Sequence, residues 1–200
     1  MMSLIEAARG KDYPADIVTV ISNRPDAPGL AWAKAQGLKT MALDHKSYKT
    51  REDFEAELHK ALLTSKVELV ALAGFMRLMT PGLVAAWHNR MINIHPSLLP
   101  AFKGLDTHAR ALAAGVRIAG CTVHFVRSEM DDGPIVAQAA VPVLSGDTPD
   151  ILAARVLAAE HKLYPAALAR VARGQVRVDG EKVFISDDVN QSGVLFSPGL

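Results

Sequence analysis

Short apolar or β-branched runs alternate with amphipathic stretches along this chain, and that alternation constrains the fold more than any other feature. Helical patterns over Ser3–Arg9, Leu30–Gln36, Arg51–Ser65 and Pro81–Trp87 are interleaved with strand patterns over Ile17–Ile21, Lys39–Leu43, Val67–Ala73 and Met91–His95. Gly10 and Gly37 follow the first two helices as stop signals. Within Arg51–Ser65, Phe54, Leu58 and Leu62 recur four apart and define one helix face. Val67–Ala73 is apolar almost throughout, as expected of a parallel strand covered on both faces. This order implies an α/β fold, a mostly parallel sheet with helices on both faces.

The second half continues with a short helix over His108–Ala114, closed by Gly115, and two strands over Cys121–Val126 and Ile135–Val143. Asp147-Thr148-Pro149-Asp150 starts a helix strongly: a polar cap, a proline in the first turn, and a carboxylate near the positive end of the dipole. That helix is expected to run to about Arg173 with a bend at Pro165. Val176–Val178 and Lys182–Ile185, around Asp179-Gly180, read as a small C-terminal hairpin, and Gln191–Leu200 as a loose tail. The expected organisation is a single domain over residues 1–188 followed by a tail over 189–200.

With 22 basic and 21 acidic residues, the chain carries no strong field that favours nucleic acid or an anionic membrane. Cys121 is the only cysteine, which rules out an internal disulfide and fits a reducing compartment. The longest apolar stretch, Leu69–Met76, is too short to span a bilayer, and Met1–Asp16 lacks a signal-type apolar centre. The expected address is therefore the cytoplasm. The seven histidines are dispersed and no HxH, HExxH or CxxC spacing occurs, so no metal is expected. Neither a GxSxG elbow nor a P-loop nor GxGxxG is present.

Chemistry concentrates in three places. In Met91–His95, stopped by Pro96, alternation places Asn93 and His95 on one face and Ile92 and Ile94 on the other. The apolar pair can anchor in a core while the polar pair faces the space beyond the strand end, where open α/β sheets bind ligands. Such a pair also reads as a core histidine beside a turn asparagine. Arg127–Pro134 is a flexible acidic connection, ordinary solvated surface unless its strand lies beside Met91–His95. In that arrangement the loop is expected at the same sheet end as His95, with Asp131 near the imidazole. Leu72–Met79 is either core packing at a helix start or an apolar slot for a flat ring.

Taken together, Ala73-Gly74-Phe75-Met76-Arg77, Asn93-Ile94-His95-Pro96-Ser97-Leu98-Leu99-Pro100, His124-Phe125-Val126 and Met130-Asp131-Asp132-Gly133-Pro134 resemble the folate-dependent formyltransferases, in particular their phosphoribosylglycinamide branch. The likeness runs from Met1 to about Gly174. It implies a Rossmann-like α/β enzyme that moves a formyl group from the co-substrate 10-formyltetrahydrofolate to the amine of 5-phosphoribosylglycinamide in purine biosynthesis. By the resemblance, Asn93, His95 and Asp131 are the catalytic trio, although Asp132 beside Asp131 leaves some ambiguity. The folate pocket takes Arg51, Met76, Arg77, Leu78, Met79, Asn93, Arg127, Ser128, Glu129, Met130 and Asp131, and Glu160 contacts the second substrate. No metal, nucleic acid or membrane enters the reaction, and the expected assembly is a monomer or homodimer.

One departure stands out. Family members begin with a strand and a glycine-rich phosphate-holding turn, whereas Met1 here falls inside the helix that comes next. The resemblance therefore leads us to expect a natural chain that extends upstream by roughly a dozen residues. Other readings are formyl transfer to a different amine, formyltetrahydrofolate hydrolysis, or a non-catalytic folate- or nucleotide-binding remnant.

Overall fold

The alternation is realised in the computed structural model, which describes residues 1–186 and residue 197. In chain order the elements are α1 (Met2–Ala8), β1 (Val20–Ser22), α2 (Pro28–Ala35), β2 (Thr40–Ala42), α3 (Arg51–Thr64), β3 (Val70–Leu72) and α4 (Pro81–Ala86). Next come β4 (Met91–His95), α5 (Thr107–Ala113), β5 (Ile118–Phe125), β6 (Ile135–Pro142), α6 (Pro149–Ala172) and the hairpin strands β7 (Val176–Asp179) and β8 (Lys182–Ile185). The expected tail over Gln191–Leu200 lies outside the described residues, apart from Ser197.

One sheet has the order β3-β4-β5-β6; β1 and β2 form a second, and β7 and β8 a third. The pairs β1–β2 and β3–β4 are parallel, while β4–β5 and β5–β6 are antiparallel. The apolar run Val67–Ala73 departs from expectation. Only Val70–Leu72 pairs, and all three residues are half-buried rather than covered on both faces. Among the described residues it is the terminal strand of the four-stranded sheet, paired on the β4 side.

Alternation in β4 divides the core. Ile92 joins Val123, Phe125 and Val136 under α6 and α1, through Tyr164, Leu168 and Leu4. On the opposite face Met91 packs with Leu62 of α3, Leu83 of α4 and Trp87. α6 is capped by Thr148, whose hydroxyl accepts from the Ile151 N–H, with Pro149 in the first turn as the sequence indicates. Its buried Tyr164 hydroxyl lies 2.7 Å from the Leu72 carbonyl oxygen and 3.1 Å from that of Ile92, tying the helix to β3 and β4. α3 and α4 are joined by a buried carboxylate: Glu55 accepts from both the N–H and the hydroxyl of Thr80, the residue that caps α4.

β5 begins three residues earlier than the sequence pattern suggests, running through Gly120 rather than starting after it. A Cβ at Gly120 would sit 2.0 Å from the Ala139 carbonyl oxygen and 2.8 Å from Leu98, so close strand crossing, not a break, explains this glycine. Gly120→Ala is accordingly expected to lower stability by about 2 kcal/mol or more, because backbone must shift to admit the methyl group. Urea unfolding monitored by tryptophan fluorescence measures it; an unchanged midpoint would contradict the crowding.

Candidate active site

Five residues of β4 deliver the first two groups. Pairing with β5 sets Asn93 opposite His124 and His95 opposite Thr122, so all four side chains share the face away from α6. Ile92 is fully buried and Ile94 half-buried in the other face, the anchoring expected from the pattern.

Beyond His95 the chain is held down by Thr122. Its hydroxyl donates to the Ser97 carbonyl oxygen at 2.7 Å and accepts from the Leu99 N–H at 3.0 Å. Ser97 in turn donates to the Ala101 carbonyl oxygen at 2.6 Å. Folded back in this way, the chain brings the Phe102 carbonyl oxygen to 3.0 Å from His95 Nε2. A carbonyl only accepts, so Nε2 carries a hydrogen. The other ring nitrogen, Nδ1, lies 3.3 Å from Asp131 Oδ2. Nδ1 thus stands within ion-pair range of the carboxylate, while Nε2 makes the ring's hydrogen bond.

Asp131 arrives by a different route from the one its sequence position suggests. Because β5 is antiparallel to β4, the loop after it leaves from the Met91 end of the sheet, where Val126 N–H donates to the Met91 carbonyl oxygen. It then folds back over the polar face. Asp131 takes a left-handed backbone (φ +52°), and Gly133 packs where a Cβ would stand 1.7 Å from the Phe125 carbonyl oxygen. The two carboxylates part here. Asp131 faces His95, while Asp132 pairs with Lys103. The side chains of His95 and Asp131 are 7% and 12% exposed, so their interaction is only weakly screened.

His124 completes the cluster and has no counterpart among the site residues expected from the sequence. Its Nδ1 donates to the Phe125 carbonyl oxygen at 2.9 Å, which leaves Nε2 to accept from Asn93 Nδ2 at 3.4 Å. Burial lowers its pKa below the ordinary imidazole value, and that outweighs the opposing pull of the Phe125 carbonyl and Asp131. The signal was present in the alternation Thr122-His124-Val126, but only the register with Asn93 gives it meaning. Two backbone groups, the Phe102 carbonyl and the Gly104 N–H, which donates to Asp131 Oδ2 at 2.9 Å, were likewise outside the reach of side-chain patterns.

The expected folate-side residues form two groups. Met79 packs in one cluster with Leu72, Met91 and Val126, while Met76 (74% exposed) and Leu78 stand out into solvent. Arg51 opens α3, and one turn on Phe54 carries the Arg77 guanidinium 5.9 Å from its ring centroid. Ser128, Glu129 and Met130 are exposed on the loop, with Met130 against Gly104. Arg127 behaves as a strut. Its guanidinium donates to Asn89 Oδ1 at 2.9 Å, to the Val126 carbonyl oxygen and to Glu181 in the β7–β8 turn. Glu160 is not gathered with the trio. It sits on α6, across the sheet, near Cys121 and the Met1 amine, where burial raises its pKa.

An amide and an imidazole on a sheet face, with a carboxylate folded over them from a loop, are groups able to steady a developing negative charge and to move a proton. The formyl transferase family matches residues 1–168, and the chain belongs to that family. It is 38% identical to phosphoribosylglycinamide formyltransferase of Escherichia coli (strain K12), over 89% of this chain and 84% of that protein. It is 47% identical to the trifunctional purine biosynthetic protein adenosine-3 of Gallus gallus, over 88% of this chain but only 18% of that longer protein. The crystal structure of glycinamide ribonucleotide transformylase 1 from Symbiobacterium toebii superimposes with a TM-score of 0.90 at 45% identity, covering 92% of this chain and 87% of that one.

The depressed pKa of His124 predicts a pH signature. The unfolded chain takes up this proton first, so stability is whole above the ordinary value of 6.5 and is lost as pH falls through the lowered value. His124→Gln should flatten the fall of Tm between pH 6.5 and the acid limb relative to the parent protein. Parallel curves would show that His124 does not carry it.

Proposed function

We propose that this chain transfers the formyl group of 10-formyltetrahydrofolate to the amine of 5-phosphoribosylglycinamide, a step of purine biosynthesis. The reading rests on one observation above the others: Asn93, His95 and Asp131, remote in sequence, converge on one sheet face of a formyl transferase-family chain. The substrate amine attacks the formyl carbon directly. A C–N bond to the substrate forms, the bond to the folate N10 breaks, and one amine proton ends on N10.

Each group then has a task. The developing oxyanion is met by the Asn93 N–H left over from His124, and the neighbouring His95 ring supports it electrostatically. Asp131 keeps the ring oriented and relays the amine proton towards N10, directly or through one water. Neither role needs a covalent intermediate, and Cys121 is no nucleophile: burial, with Glu160 nearby, pushes its thiol up to about 12. The loops bearing Met76–Met79 and Arg127–Asp131, with Arg51 and Asn93, wall the folate side. Glu160, on α6, is assigned to the second substrate. In the same proposal residues 1–188 act as one domain, the protein works in the cytoplasm, and it is a monomer or a homodimer.

Formyl transfer measured at saturating concentrations of both substrates tests this. His95→Ala and Asp131→Asn should each lower kcat roughly 100-fold or more while the fold is retained. A rate near that of the parent protein in either variant removes that residue from the mechanism, and no transfer by the parent protein would overturn the reading as a whole.

A further inference from the structure

We propose that Arg110, on α5, is a positioning residue for His95 and Asp131, acting through the loop of residues 101–106. For its kinetic consequence the proposal rests on the formyl-transfer reading.

Both acid–base groups lean on this loop. Its Phe102 carbonyl receives the His95 Nε2 hydrogen, and its Gly104 N–H is given to Asp131 Oδ2. The loop forms no helix or strand, its one helical hydrogen bond being that of the Asp106 carbonyl, which accepts from the Arg110 N–H at the start of α5, and Phe102, Gly104 and Asp106 all hold positive φ, at +53°, +80° and +55°. Backbone of that kind persists only where its surroundings hold it in place.

Arg110 does that. Its Nη1 donates to the Lys103 carbonyl oxygen at 2.6 Å and reaches the Leu105 carbonyl oxygen at 3.3 Å, and its guanidinium lies 5.7 Å from the Phe102 ring centroid. The Lys103 carbonyl and the Gly104 N–H belong to one peptide unit, which is planar and stiff. Arg110 grips the carbonyl end of that plane while the opposite end points at Asp131. The positive charge on the carbonyl also polarises the peptide and strengthens the N–H as a donor. Lys103 adds a second tie from the same loop, pairing with Asp132 next to the carboxylate it helps to place. Arg110 itself touches neither His95 nor Asp131; its effect is carried by one peptide plane and one aromatic ring.

Arg110→Met keeps the stem and removes the donors. We expect kcat to fall roughly tenfold with KM for both substrates within about twofold, and Arg110→Lys to recover part of the loss. A readout independent of activity is the Gly104 amide proton by NMR. In the parent protein it should lie downfield and move upfield on Asp131→Asn; in Arg110→Met it should already lie upfield and change little with that second substitution. Should the Met variant fail to fold, Arg110→Gln carries the same two readouts. An unchanged kcat, or a fall in kcat with an unmoved Gly104 amide, overturns the proposal. If the parent protein itself transfers no formyl group, the functional reading fails, and the amide resonance alone still decides for or against the positioning role.

Discussion

The antiparallel pairing of β4 with β5 is the constraint on which the site depends. A register that sets Asn93 against His124 and His95 against Thr122 places three polar rings or amides and one hydroxyl on the same face. A slip of one residue would turn Asn93 and His95 into the core now filled by Ile92 and Ile94, and the side-chain hydrogen bonds of the site would be lost. The register is fixed from behind. Ile92, Val123 and Phe125 are buried under α6, and the Tyr164 hydroxyl bonds to carbonyls of β3 and β4. Packing on the apolar face thus sets the geometry of the polar one.

Direction matters as much as register. Since β5 runs against β4, the loop that carries Asp131 is rooted at the wrong end of the sheet and must return over its face. Returning costs backbone strain at Asp131 and close packing at Gly133, and it is secured by contacts with the loop over 101–106. The two loops hold each other: Gly104 binds Asp131, Lys103 pairs with Asp132, and Met130 rests on Gly104. A carboxylate on such a folded-back loop is placed by tertiary contacts rather than by its strand.

Much of this was legible in the sequence, for identifiable reasons. Period-2 alternation and a terminating proline gave β4 its bounds without error, and cap residues with Pro149 gave the start of α6. Strand direction was not legible, because an apolar run reads the same both ways and only the helix packed on it decides. The half-burial of β3 could not be read from its apolar run, because composition reports a preference for burial, not whether a neighbour is present. Asp131 and Asp132 differ by one residue and are chemically identical, so only the fold of the loop separates them. The Phe102 carbonyl and Gly104 N–H belong to the backbone and leave no side-chain signature at all.

The two histidines around Asp131 show how a single carboxylate is assigned. His124 Nε2 lies 3.8 Å from Asp131 Oδ1 and His95 Nδ1 lies 3.3 Å from Oδ2, so proximity alone favours both imidazolium ions. Two neighbouring cations would repel, and the surroundings resolve the competition. His124 is the more deeply buried and gives its one hydrogen to the Phe125 carbonyl, so Nε2 stays a lone pair. His95 gives its Nε2 hydrogen to the Phe102 carbonyl and keeps Nδ1 3.3 Å from the carboxylate. The neutral partner then has a consequence for the amide. Asn93 must turn its NH2 group, not its oxygen, to His124, which leaves the second amide hydrogen as a donor at the site. The orientation of an asparagine on β4 is thus set by a backbone carbonyl on β5, through a histidine that itself need never touch a substrate.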